Sequence, residues 1–181
     1  DQIVFSSKHL NEIFIIDHST TTLQASGHDG GNSNNGGDIL YRWGNPANYR
    51  RGNNLDQKLN AQHGVHWIPL GYPGAGKLLI FNNNPSDTLS NSNQFGNSSV
   101  VEILPPVNAD GNYFLTVDSI YGPEVYDLIY GDDDSFFSSF QSGAYRLKNG
   151  NTIITVTQEK SLFEISQDGQ VVWECKIDSL I

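Results

Sequence analysis

This sequence predicts an all-β chain made of repeated four-stranded antiparallel meanders, on three observations. Its apolar segments, such as 13–17 and 78–81, are short, β-branched and aromatic, as strands are. Gly, Asn and Pro turns separate them, and no stretch has caps and the 3.6-residue periodicity of an amphipathic helix. One frame also occurs twice. Gln62-His63-Gly64 opens a strand that turns through Gly71, Pro73 and Gly74 into 76–83. Gln141-Ser142-Gly143 opens another that turns at Lys148-Asn149-Gly150 into 151–156. Four-stranded units that repeat and end in aromatic residues are the pattern of β-propeller blades.

The 181 residues suffice for one ordinary domain with a core. A net charge of -10 with only ten Lys plus Arg argues against a nucleic-acid surface, which needs clustered cations. No apolar run is long enough for a membrane span. The single cysteine, Cys175, excludes an internal disulfide, and its place beside Trp173 in an apolar strand predicts a buried, inert thiol. No methionine and no signal peptide appear, so the chain is expected to be a piece of something longer.

In order, Ile3-Val4-Phe5 is a short apolar run closed by Ser6-Ser7-Lys8-His9, and 11–17 is a buried strand. Residues 18–37 form a polar, Gly/Asn-rich loop without the Lys-Ser/Thr of a phosphate cradle. A third strand, 38–43, ends at Gly44-Asn45-Pro46. The Gln62 and Gly76 strands follow, then an Asn/Ser-rich loop over 82–97, a strand at 98–104 and an excursion holding 113–117. Residues 125–131 repeat the 40–44 strand end, and after Asp132-Asp133-Asp134 come four strands at 140–147, 151–156, 162–166 and 170–173. Hairpin chemistry joins them. The resulting expectation is about two and a half blades: an entering blade over 1–44 whose first piece is a remnant second strand at Ile3, and full blades over 61–131 and 136–178. An innermost strand lines a propeller channel, so His63 and Ser142 are expected to face one axial site from neighbouring blades. Fewer than three blades cannot close a ring.

Ser6-Ser7-Lys8 before 12–19, the 37–46 run, Gln62-His63, the 76–83 strand and Ser142-Gly143-Ala144 with 147–152 together resemble the arylsulfotransferase (aryl-sulfate sulfotransferase) family. The likeness runs along nearly all of the chain. It implies a six-bladed β-propeller, many members being bacterial and periplasmic or exported. It also implies transfer of a sulfuryl group from an aryl sulfate to a phenol through a sulfated histidine, without the donor PAPS and without a cofactor. Carried onto this chain, the nucleophile is His63. The sulfate-binding basic residue is Lys8, where the family usually has Arg; lysine supplies charge without the planar bidentate fork. The implied partners are an aryl sulfate and a phenolic acceptor, in the periplasm or outside the cell.

The chemistry fits the residue types. Neutral imidazole is nucleophilic near neutral pH, and a covalent intermediate splits the transfer into two steps with ping-pong kinetics. His9, beside Lys8, and Ser142, at the position matching His63, are the further substrate-binding candidates; the Ser142 hydroxyl either donates to a sulfate oxygen or bonds locally. Strand alternation turns His66 away from His63, which predicts an inter-blade packing role. The His63/His66 spacing is rejected as a zinc pair, because on a strand the two diverge and no Cys or carboxylate completes the set. His18 and His28 are expected in solvent. Arg42, Arg50 and Arg51 are solvated or steer anions, with solvation favoured. The Asp132–134 run and the Asn/Gly loops lack a calcium-loop spacing. The competing reading is a propeller that binds a ligand or protein without catalysis; a hydrolase would differ only in using water as acceptor.

Overall fold

The computed structural model describes residues 1–84, 96–115, 119–131 and 136–177. It is nearly all-β, with three antiparallel sheets in which sequential strands are neighbours. β1 (Gln2–Ser7), β2 (Glu12–Asp17) and β3 (Ile39–Trp43) form the first sheet. The second holds β4 (His63–Trp67), β5 (Leu78–Asn82), β6 (Ser99–Ile103) and β7 (Asp127–Gly131). The third holds β8 (Gly143–Arg146), β9 (Thr152–Val156), β10 (Ser161–Ile165) and β11 (Val171–Lys176). One helical turn, α1 (Thr22–Ala25), interrupts the 18–37 loop, where Thr21 and Gln24 form a capping box.

The sheets stack face to face through β5. Its Leu78 and Ile80 pack with Ile13, Ile15, Tyr41 and Trp43 of the first sheet, and Leu79 and Phe81 pack with Ala144, Ile154, Val156 and Phe163 of the third. Period-two alternation thus serves two cores from one strand, which is why β5 is apolar at consecutive positions and buried throughout.

Several sequence expectations are corrected here. Cys175 is exposed, because β11 is the third sheet's outer edge and none of its residues is buried. The strand expected over 140–147 shortens to β8, since Gln141 and Ser142 have φ of 50° and 76°, outside the extended region. Of the 113–117 strand, Tyr113 makes an isolated bridge to Val107, and 116–118 lie outside the described residues. So do 85–95 of the Asn/Ser-rich loop and the Asp132–134 run. Asn82, expected to open the Asn/Ser-rich loop, is the last residue of β5; Asn82, Asn83 and Asn84 are all buried, and Asn82 Oδ1 accepts from Asn60 N at 2.8 Å.

Arg42 is not the solvated arginine expected, nor free to steer anions. Its guanidinium forks onto buried Glu12, with Nε 2.8 Å from Oε1 and Nη2 2.5 Å from Oε2, and lies 4.5 Å from the Tyr49 ring centre. His18 and His28 are exposed, each with its Nδ1 on a carboxylate: Asp1 at 3.1 Å and Asp38 at 2.8 Å.

Candidate functional site

The candidate site forms where the first strand of the second sheet meets its two neighbours. Gln62, just before β4, reaches back to the first sheet. Its Nε2 lies 2.9 Å from Ser6 Oγ, 3.2 Å from Ser7 O and 2.8 Å from Glu12 O. Ser6 Oγ in turn donates to Gln62 O at 3.4 Å. One buried carboxamide therefore ties Ser6-Ser7-Lys8 to Gln62-His63, two motifs more than fifty positions apart in the chain. Gln62 Oε1 is buried without a hydrogen-bond partner among the described residues.

His63 is held from the other side. Its Nδ1 is 2.7 Å from Oδ1 of Asn83, which follows β5. Asn83 is fully buried, and its Nδ2 donates to Ser138 O at 2.8 Å and Gln141 O at 3.0 Å, both on the run into the third sheet. Those two carbonyls accept only, so the amide nitrogen must face them and Oδ1 must face the imidazole. Oδ1 also only accepts, so Nδ1 carries the proton and Nε2 of neutral His63 keeps its lone pair. Ser98 Oγ donates to Asn83 O at 2.9 Å and closes the network.

A bulge sets the direction of His63. Three residue steps from His63 to His66 oppose two from Phe81 to Leu79, and Gly64 takes φ 66°. Phe81 and Leu79 share a face, so His63 and His66 share it as well. The expectation that His66 points away is thus wrong, because simple alternation ignores the inserted residue. Its packing role stands: the ring stacks on Tyr145 of β8 at 5.0 Å between centres, and Nδ1 bonds Gly64 O at 2.9 Å. Glycine at 64 also allows a close backbone approach, since a Cβ there would sit 3.4 Å from Gly143 Cα. The heads of β4 and β8 therefore adjoin.

Ser142 bonds locally. Its Oγ lies 3.4 Å from Phe140 O and accepts from Thr157 N at 3.0 Å, while its own N donates to Thr157 Oγ1 at 3.1 Å. Lys8 and His9 are exposed on the β1–β2 turn, and no hydrogen bond or ion pair of the Lys8 ammonium occurs among the described residues. Three other cations are committed: Arg42 to Glu12, Lys77 to Glu102 and Asp127, and Arg146 to Glu102.

Sequence reasoning left Asn83 without a role. The signal available was three asparagines directly after a strand apolar at four consecutive positions, where a solvated loop and a buried polar network look alike. No family model matches this chain, and no curated protein does.

Proposed function

We propose that the three sheets are blades of a β-propeller, six in the complete ring as the resemblance implies, and that this propeller is a PAPS-independent arylsulfotransferase. Face-to-face stacking of three antiparallel sheets in chain order supports the blade reading. The observation that carries the chemistry is the Asn83–His63 bond, which leaves the Nε2 lone pair free. In the first step Nε2 attacks the sulfur of an aryl sulfate. An N–S bond forms, the S–O bond to the aryl oxygen breaks, and the phenolate leaves with the electron pair. In the second step a phenol oxygen attacks the same sulfur, the N–S bond returns its electrons to Nε2, and the phenol proton goes to solvent. Asn83 keeps Nδ1 protonated throughout, so Nε2 is the reacting atom in both directions. Lys8 supplies positive charge for the sulfuryl oxygens, with His9 beside it, while the Ser142 hydroxyl stays in its local bonds to Phe140 and Thr157. The setting is periplasmic or extracellular.

The test uses the gene product that carries this chain, with 4-nitrophenyl sulfate as donor and phenol as acceptor. Nitrophenol release that depends on phenol, and a single SO3 group on the His63 peptide after donor alone, are expected. Both disappear in His63→Ala. Phenol-independent release would make the protein a sulfatase, and no release from folded protein would favour the binding propeller. The 181-residue chain alone is expected to be inactive, its ring being open; turnover by it would refute the ring requirement.

A further inference from the structure

The sulfuryl transfer from His63 leaves His66 without a role beyond packing, yet its ring is held in the same way as His63. Gly64 O, a carbonyl, only accepts, so its bond of 2.9 Å places the proton of neutral His66 on Nδ1 and leaves a lone pair on Nε2. His63 takes the same tautomer through Asn83. No hydrogen bond to either Nε2 occurs among the described residues. The β4 bulge puts the two rings on one face, opposite Phe81 and Leu79. Positions two residues apart on a strand are separated by about 7 Å. One face of the sheet therefore presents two partly exposed imidazoles, each with its outer nitrogen free.

The third sheet fixes the plane of His66. In the two Gln-x-Gly frames His66 and Tyr145 stand at matching positions, and their rings stack with centres 5.0 Å apart and planes 23° apart. Tyr145 is 50% exposed and lies back along β8 toward Ser142: a Cβ at Gly143 would sit 3.4 Å from its Cε2 and 3.5 Å from its Oη. Gly64 and Gly143 bring backbone to backbone between the two heads, so no side chain stands between them there. The remaining histidines are not arranged this way. His18 and His28 lie with the 18–37 loop, at the other end of the first sheet from Lys8, each with Nδ1 on a carboxylate. His9 is exposed, and no side-chain hydrogen bond holds its ring among the described residues.

We infer that His66 is the proton-transfer group of the sulfuryl exchange, its Nε2 taking the proton of the acceptor phenol. The inference rests on the transferase reading and adds a second catalytic histidine to it. In the second step the phenol O–H bond breaks toward His66 Nε2, the oxygen's electron pair forms the O–S bond, and the N–S bond returns its pair to His63 Nε2. His66 then releases the proton to solvent. In the first step the protonated ring gives a proton to the departing aryl oxygen as its bond to sulfur breaks. The phenol sets the need. Its acidity is like that of the tyrosine side chain, about 10, so its oxygen attacks poorly with the proton on and leaves poorly without one. Imidazole takes up and gives back a proton near neutral pH. Gly64 O keeps the proton on Nδ1 and Tyr145 keeps the plane, so Nε2 is presented in both charge states.

The test reads the first step alone, in the gene product that carries this chain, with two donors. The phenolate of 4-nitrophenyl sulfate is a weak base and departs unprotonated, whereas that of phenyl sulfate is a strong base. The rate at which an SO3 group appears on the His63 peptide is measured by rapid quenching and mass spectrometry. Wild type is compared with His66→Phe, which keeps a ring to stack on Tyr145 but has no proton to move. The preference for 4-nitrophenyl sulfate over phenyl sulfate is expected to rise at least about 100-fold in the variant, the low end for loss of an acid–base group. His66→Gln, whose amide can still bond Gly64 O, should show the same rise and serves if the Phe variant does not fold. An unchanged preference overturns the inference, even where both rates fall by one factor, because His66 would then only pack. That outcome leaves the transferase reading intact, since His63 is still labelled. No SO3 on wild-type His63 from either donor refutes the transferase reading and the inference with it.

Discussion

Substituting Glu102 by Gln tests what joins the second sheet to the third. The Glu102 carboxylate on β6 is 5% exposed, with Arg146 Nη2 of β8 and Lys77 Nζ each 2.7 Å away. Arg146 is 9% exposed; its Nη1 donates to Gly150 O at 3.2 Å, and its Nε has no partner among the described residues. Gln keeps the volume and one acceptor oxygen but removes the charge, so a buried guanidinium is left uncompensated. Breaking a buried pair costs about 3–5 kcal/mol. Lys77 adds little, being 32% exposed and retaining Asp127 at 2.9 Å. The remaining acceptor in Gln puts the loss near the lower end, about 3 kcal/mol, or a fall in Tm of about 6–12 °C for a chain of this length. Thermal unfolding followed by circular dichroism reads it. A fall under about 2 °C would refute the reasoning, because it would mean that solvent already screens the pair. Glu102→Leu with Arg146→Met should recover most of the loss, since replacing both partners removes the uncompensated charge. The Glu102 and Asp127 carboxylates also hold the Lys77 ammonium above the usual lysine range. A raised folded-state value gives stability that is present below the unfolded lysine value and lost as pH rises through the folded one. Wild type should therefore lose this contribution at alkaline pH, and Glu102→Gln should lose less.

Gly64→Val places a β-branched residue at φ 66° against the Gly143 backbone, and the left-handed conformation alone costs about 1–2 kcal/mol. A lower urea midpoint with unchanged slope is expected; an unchanged midpoint would mean that the bulge relaxes freely. The Ser19 hydroxyl, then the hydroxyl and N–H of Ser33, hold the Asp17 carboxyl far below the usual carboxylate range against the opposing effect of burial. A depressed folded value gives stability that is present above about pH 3.9 and lost on acidification through the folded value. Proteolysis of the 18–37 loop should accelerate only in strong acid, whereas Asp17→Asn should be cut readily already at neutral pH; equal cutting of the two at pH 7 would refute the role. Cys175 should react with a thiol reagent in native buffer, and a requirement for denaturant would show that β11 is covered.

The sheets were legible because each strand carries its own burial pattern. β9 and β10 alternate buried and partly exposed residues, and β5 is apolar on both faces because it separates two cores. The repeated frame located Gln62-His63 and the family resemblance singled out Ser6-Ser7-Lys8, but neither gave the contact between them, which depends on the Gln62 side chain. The orientation of His66 was misread because a bulge changes the parity of every residue beyond it, and Gly64 alone hardly distinguishes a bulge from a turn. Cys175 was misread for a related reason. An apolar run such as Val171-Val172-Trp173 marks strand propensity, whereas exposure depends on whether another element covers the sheet edge.

Comparing the three sheets shows how the polar side chains at this end differ in what they leave free. Lys8, Asn83 and Thr157 each directly follow the strand, β1, β5 or β9, whose last residue pairs with the first residue of the next strand. Thr157 uses the position to fasten Ser142, and both hydroxyls are consumed locally. Asn83 uses it to clamp His63, but an imidazole has a second nitrogen that the clamp does not occupy. Lys8 leaves the position as an exposed cation. The scaffold therefore offers the same place three times and fills it with a closed pair, a half-open pair and a free charge. Through Ser6, Ser7 and Glu12, Gln62 ties the segment that carries His63 to the segment that carries Lys8. Replacing Gln62 by Leu should then weaken binding of an anionic ligand at Lys8 while leaving the Asn83 bond to His63 intact. A titration reading sulfate binding and the His63 imidazole resonance together separates this linkage from general destabilisation, because loss of both signals at once would refute it.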